Sequence, residues 1–239
     1  MKIKHFALVL FALALTLCLF ASGCGEEDTS ESTVDTTTSA STTTAATTTA
    51  ATTLPSKRVA LSFDDGPHNV RTKLIVDELA KYGYNATFFV VGNRVDGTEY
   101  NGREGLKYAA ASGNEIGIHG YTHTKYYNTC SDADYEYELS MTESAIKAVL
   151  PDYEVSLMRP VGGYITEGRV SASEYSVIMW NVDSNDWKHK YTSGDTDVTA
   201  AEKVNTIVGN VMSSVGDGSI ILMHDIYQNT AQAVEILLP

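Results

Sequence analysis

The sequence predicts an α/β fold whose strands run parallel, in either an open sheet or a barrel. Three observations carry this. From Lys57 onward, short apolar runs of strand type alternate with segments of helical period. Polar residues gather directly behind the strand ends, at Asp64-Asp65, His119, Arg159, Asp183 and His224. In parallel α/β folds the strand C-termini form the active face, so five clusters from five strands point to one site. Finally, a chain of 239 residues that is 43% hydrophobic can bury one core.

The elements follow in order. Residues 58–63 (RVALSF) read as a buried strand. Residues 70–82 read as a helix, with Leu74, Ile75, Leu79 and Ala80 at helical spacing. Residues 86–91 (ATFFVV) form the second strand. A helix over 105–112 is stopped by Gly113, and a short third strand covers 115–119. A long helix over 132–150 ends at Pro151. The fourth strand spans 155–159, and the apolar run 175–182 (YSVIMWNV) reads as a single fifth. A helix over 200–214 leads to the sixth strand, 219–223 (SIILM), and a last helix opens near Thr230.

Ahead of this lie two unlike segments. Residues 1–23 pair a basic start (Lys2, Lys4) with the apolar run FALVLFALALTLCLFAS, the pattern of an export signal. An uncleaved membrane helix is the alternative, although the run has about the minimum length for spanning. Ala21-Ser22-Gly23-Cys24 resembles a bacterial lipobox, which makes Cys24 the expected lipidation site and places the protein on the outer face of the membrane, or outside the cell. Residues 24–56 are rich in Ser and Thr without an amphipathic period, and are expected to be a disordered tether. Residues 57–239 then form the folded domain. Of the formal net charge of −13, the signal contributes +2 and the tether −5, which leaves −10 on the domain. That balance excludes a general nucleic-acid binder, since phosphate binding needs a basic face. Cys130 would be the only thiol left in the mature chain, so no intramolecular disulfide is expected.

Five motifs carry chemistry, and each has a plain structural reading beside the functional one. Asp64-Asp65-Gly66-Pro67 ends a strand with two adjacent carboxylates, which are costly to hold together unless a cation or proton shares them; Asp-Gly-Pro is also common turn chemistry. His119 and His123, on a helical turn, would point both imidazoles the same way, and with one carboxylate they make a three-ligand metal site with a position left open. Gly120 stands where a zincin protease needs glutamate, so that class is disfavoured. Arg159-Pro160-Val161-Gly162-Gly163 offers a carboxylate partner and glycines that let backbone N–H groups approach a ligand. Asp183-Ser184-Asn185-Asp186-Trp187 sets a carboxylate beside an aromatic. Leu222-Met223-His224 closes the sixth strand with a histidine suited to general acid work.

In this order the five motifs resemble those of the polysaccharide deacetylases, carbohydrate esterase family 4, also called the NodB homology domain. The resemblance covers about residues 58–239. It implies a distorted (β/α) barrel, one divalent metal ion, usually Zn2+ with Co2+ or Ni2+ as alternatives, and hydrolysis of acetyl groups from sugar polymers. Matched position by position, Asp64 is the expected base, Asp65, His119 and His123 the metal ligands, and Arg159 the group that orients the base. Asp186 would tune His224, the expected general acid. Gly162 would offer an oxyanion donor, and Trp187 and Leu222 would line the substrate pocket. Two departures stand out. Gly120 replaces a Ser or Thr whose hydrogen bond would support the second motif, and Val161-Gly162 replaces a Pro-aromatic pair that would wall the groove.

The expected activity is N-deacetylation of N-acetylglucosamine units in peptidoglycan or a chitin-like polymer, by a monomer. The alternatives are an acetylxylan esterase using the same site and a carbohydrate-binding protein with a dead site. Six strands are counted where the resemblance implies about seven, and the chain stops within its last helix. A C-terminal truncation is therefore expected, with an unpaired sheet edge near residues 58–63.

Overall fold

The computed structural model describes residues 57–239. The export signal, Cys24 and the tether lie outside the described residues. Seven parallel strands form one curled sheet with helices packed on its outside: β1 (Ala60–Asp64), β2 (Thr87–Val90), β3 (Glu115–Ile118), β4 (Leu157–Met158), β5 (Ser176–Val177), β6 (Val182–Asp183) and β7 (Ile220–His224). Their order is β5-β4-β3-β2-β1-β7-β6.

The long helices form close to where the apolar period predicts them: α1 (Arg71–Lys81), α3 (Gly102–Ala111), α4 (Asp132–Lys147), α6 (Asp197–Met212) and α7 (Gln228–Leu237). Their starts have local causes. The Ser131 hydroxyl accepts the Asp134 N–H at the head of α4, and Thr196 with Thr199 closes a capping box on α6. Asp132 and Asp134 add negative charge where the helix dipole favours it. Two short helices, α2 (Gly92–Asp96) and α5 (Glu167–Ala172), fall in stretches without a helical apolar period. They are too short to show a period. The core joins Phe63, Phe88 and Met223 from the strands to Ile75 and Leu79 of α1, Ile146 of α4, Ile207 of α6 and Val234 of α7.

Two expectations are corrected here. Residues 58–63 are not an unpaired edge: β1 is central, bonded to β2 on one side and to β7 along its whole length on the other. Among the described residues there are seven strands rather than six, because the run 175–182 is not one strand. Its start, β5, pairs with β4 at one edge of the sheet, and its end, β6, pairs with β7 at the other. Between them residues 178–181 cross the open side of the half-barrel. Composition marks the run as apolar, but only the curl of the sheet brings its two ends to opposite edges.

Candidate active site

The register of β1 and β7 builds the centre of the site. Asp64 lies directly opposite His224, and Ser62 opposite Leu222. Side chains two apart on a strand share a face, so Leu222 and His224 point to the same side as Asp64. Leu222 is buried there.

Asp64 is held from across the barrel. The Arg159 side chain is wholly buried and its Nη1 donates to Asp64 Oδ1 at 2.8 Å. Its Nε donates to the Ile178 carbonyl at 3.0 Å and its Nη2 to that of Met179 at 3.4 Å. The guanidinium also lies over the Phe89 ring at 4.3 Å. Arg159 therefore ties β4 to the crossing segment 178–181 while it orients the carboxylate.

Asp65, the next residue, turns the other way. Its φ of +75° is left-handed, a strained conformation for a residue with a side chain. Arg94 of α2 donates to its carbonyl. One ligand atom each from Asp65, His119 and His123 lies within 4.8 Å of the others. His119 Nδ1 pairs with the Arg159 carbonyl at 2.9 Å, which turns Nε2 towards the cluster. His123 Nε2 stands 2.8 Å and His119 Nε2 3.6 Å from Asp65 Oδ1. That oxygen is buried, and apart from the close His123 contact it has no hydrogen-bond partner among the described residues. Two imidazole nitrogens and one carboxylate oxygen turned on one point fit a divalent cation of borderline softness, and the family resemblance implies such an ion. Burial pushes the Asp65 carboxyl up, but the His123 contact and the nearby His224 and His119 outweigh this and hold it below its ordinary range. Burial pushes the His119 imidazole below its ordinary range, against the pull of Asp64 and Asp65.

The two histidines do not sit on a helical turn, as their spacing suggested. His119 follows the end of β3, and Gly120 (φ +81°) and His123 (φ +59°) are both left-handed in an irregular loop. A Cβ at residue 120 would come within 2.9 Å of the Tyr127 hydroxyl. Gly120→Ala is accordingly expected to cost about 1–2 kcal/mol from backbone conformation alone. A melting curve checks this, and an unchanged midpoint contradicts it.

His224 is the second held group. Its Nδ1 pairs with Asp186 Oδ1 at 2.7 Å, which leaves Nε2 for the pocket. Asp186 is fully buried, and its Oδ2 also accepts from the His224 N–H and the Thr230 hydroxyl, both at 2.7 Å. Burial alone would push the His224 imidazole down, but the Asp186 charge and hydrogen bond raise it to about 9. Asp183 stands apart and accepts the Asn185 N–H at 2.8 Å in the turn before Asp186.

Gly162 adopts φ +62° in the turn Val161–Gly163. The hydrogen bonds of that turn use the N–H groups of Gly163 and Tyr164, not that of Gly162. No aromatic occupies residue 162 itself, but Tyr164 and Tyr126 flank it as an edge-to-face pair at 4.9 Å, both about half exposed. Trp187 is also on the surface, 45% exposed.

The structure thus brings together Asp64, Asp65, His119, His123, Arg159, Asp186 and His224. The motif reading missed the residues that hold them, among them Thr230 on Asp186 and Arg94 on Asp65. Both lie outside the motifs and reach the site only through α7 and α2.

Fold and site together define the class: an α/β half-barrel with an Asp-His-His cluster, able to hold a cation, at its strand C-termini. The chain belongs to the polysaccharide deacetylase family, whose pattern it matches over residues 51–175. It is 35% identical to the peptidoglycan-N-acetylmuramic acid deacetylase PdaC of Bacillus subtilis over 182 residues, 76% of this chain and 35% of that protein. It thus spans about a third of that relative's length. The solved structure of PdaC superposes with a TM-score of 0.65, covering 76% of this chain and 81% of that one. A peptidoglycan-N-acetylglucosamine deacetylase of Bacillus cereus is 31% identical over 190 residues, 76% of this chain and 78% of that protein. The CE4 domain of a multidomain xylanase from the hindgut metagenome of Trinervitermes trinervoides is 30% identical, with a TM-score of 0.62 over 76% of this chain and 81% of that one.

Proposed function

We propose that this protein is a metal-dependent hydrolase that removes acetyl groups from the N-acetylated amino sugars of an extracellular polysaccharide, peptidoglycan or a chitin-like polymer. The observation that carries this is the pairing of two held groups around one cluster. Asp64, fixed by Arg159, lies directly across the strand pair from His224, fixed by Asp186, and its Oδ2 stands 3.6 Å from His119 Nε2 of the Asp65, His119 and His123 cluster. Amide hydrolysis needs a base for water and an acid for the leaving nitrogen, and this site supplies one of each.

Asp65, His119 and His123 would hold the ion, Zn2+ by donor type with Co2+ or Ni2+ as alternatives. When bound, such an ion polarises an acyl oxygen and lowers the pKa of adjacent water. Asp64 takes the proton from the attacking water. Arg159 keeps its carboxylate aimed at the cluster and unable to swing into the core. The Gly162 N–H faces the developing oxyanion, a contribution of about 3–4 kcal/mol per donor in comparable sites. His224, charged through its pair with Asp186, gives the Nε2 proton to the leaving amine. Leu222 bounds the acetyl methyl, and Trp187 with the Tyr126–Tyr164 pair offers flat apolar surface to the sugars. An exported chain with a lipid on Cys24, as read from residues 1–24, suits a polymer that never enters the cell.

The likeness to the CE4 domain of a xylanase favours a second reading, an acetylxylan esterase with the same residues. Acetate release separates the two: the first reading expects turnover of N-acetylated peptidoglycan or chitin oligomers and little on acetylxylan. A chelator should abolish release, and added Zn2+ or Co2+ should restore it. Release that survives complete metal removal would overturn the metal-dependent mechanism, and no release on any substrate with metal restored would leave a binding protein.

A further inference from the structure

The loop that carries the second metal-binding histidine has no secondary structure of its own. It leaves β3 at His119, passes Gly120 in a left-handed turn, and reaches His123, also left-handed. A three-ligand site tolerates little play in its ligand atoms, so something outside the loop must fix it.

Glu138 does so. It lies on α4, and only 1% of its surface is exposed. Its Oε2 accepts the Tyr121 N–H at 2.6 Å and the Thr122 N–H at 2.8 Å, and its Oε1 accepts the Thr122 hydroxyl. Among the described residues it belongs to no ion pair. Helix packing does not ask for a carboxylate at this position, since a leucine there would bury apolar surface without desolvating a polar group. Its partners are two successive backbone N–H groups, a concave anion-binding arrangement, and both belong to the residues directly before His123.

Gly120 completes the fit. A Cβ at that position would stand 3.0 Å from Glu138 Oε2, tighter than ordinary contact. The glycine that departs from the family pattern therefore leaves room for the Glu138 carboxylate, which supports the loop from the helix side.

We propose that Glu138 is a positioning residue for the metal cluster: by clamping the backbone at Tyr121 and Thr122 it sets the angle at which His123 Nε2 meets Asp65 and His119. This rests on the reading of the cluster as a metal site. Loss of an outer partner of a metal ligand typically lowers metal affinity about 10–100-fold. Titration of the full-length chain with Zn2+ against a chromophoric chelator should show a loss of that size in Glu138→Leu. Glu138→Gln should recover most of it, because the amide oxygen can accept both N–H bonds and the amide nitrogen can donate to Thr122. Thr122→Val, which removes only the hydroxyl bond, should show a smaller loss.

Melting curves of the metal-free variants run alongside. If Glu138→Leu does not fold, Thr122→Val and Glu138→Gln decide: unchanged affinity in Thr122→Val overturns the clamp. If it folds and binds Zn2+ like the wild type, or if Glu138→Gln binds as weakly as Glu138→Leu, the positioning role is wrong. A wild-type chain that binds no Zn2+, Co2+ or Ni2+ overturns the metal reading itself, and the clamp with it. Wild-type binding with an unaffected Glu138→Leu overturns the clamp alone.

Discussion

His224→Ala is expected to lower acetate release from an N-acetyl polymer by about 10²–10⁴-fold, the usual range for losing a positioned acid. The effect should be largest on amides. An amine is expelled as its anion unless it is protonated, whereas an alcohol is a far better leaving group. The same variant should therefore lose less on an O-acetyl ester than on an N-acetyl amide. Equal losses on both substrates, or appreciable amide turnover, would remove His224 from the acid role.

The pH profile tests the same residue without deleting it. The Asp186 pair holds the His224 imidazole at about 9, so His224 stays protonated through neutrality. Turnover should fall on the alkaline side as pH passes about 9. Asp186→Asn removes the largest upward influence and leaves burial, which acts downwards, so the alkaline limb should move to lower pH. The stability consequence has the same origin. His224 titrates higher folded than unfolded, where about 6.5 is ordinary, so its pairing stabilises the fold fully below that pH. The contribution fades as pH rises through about 9. An alkaline limb that stays in place in Asp186→Asn would show that the pair does not set the proton affinity.

Arg159→Leu should cost more in stability than any change at the surface. The guanidinium is wholly buried, and it satisfies one carboxylate and two carbonyls at once. Removing one partner of a buried ion pair typically costs about 3–5 kcal/mol. For a domain of this size that is a fall in Tm of roughly 6–20 °C. Arg159→Lys should rescue little, since one ammonium cannot reach three acceptors spread around a planar fork. Acetate release should fall with both, because Asp64 loses its orientation. Near-wild-type melting of Arg159→Leu would mean that Asp64 finds another partner and that the crossing segment holds without the arginine.

Much of the site is legible in the order of residues alone, for a chemical reason. Metal ligands and acid–base groups are restricted to a few residue types, and parallel α/β folds place them at strand ends, so local sequence marks them. Asp64, Asp65, His119, His123, Arg159, Asp186 and His224 all carry that mark. The residues that hold them do not. Thr230, Arg94 and Glu138 are ordinary helix residues by type and spacing, and their partners are 44, 29 and 16–17 positions away.

The sequence by itself determined the alternation of strands and helices, the family, and which polar residue types gather at the strand ends, because each depends on residue type and short-range order. Only the tertiary structure decided that the run 175–182 divides between the two edges of the sheet, that β1 is central rather than exposed, and that the two histidines sit on an irregular loop instead of a helical turn. The reason is the same in each case. Strand partners and loop supports are chosen by contacts between distant parts of the chain, on a sheet whose curl no local pattern encodes.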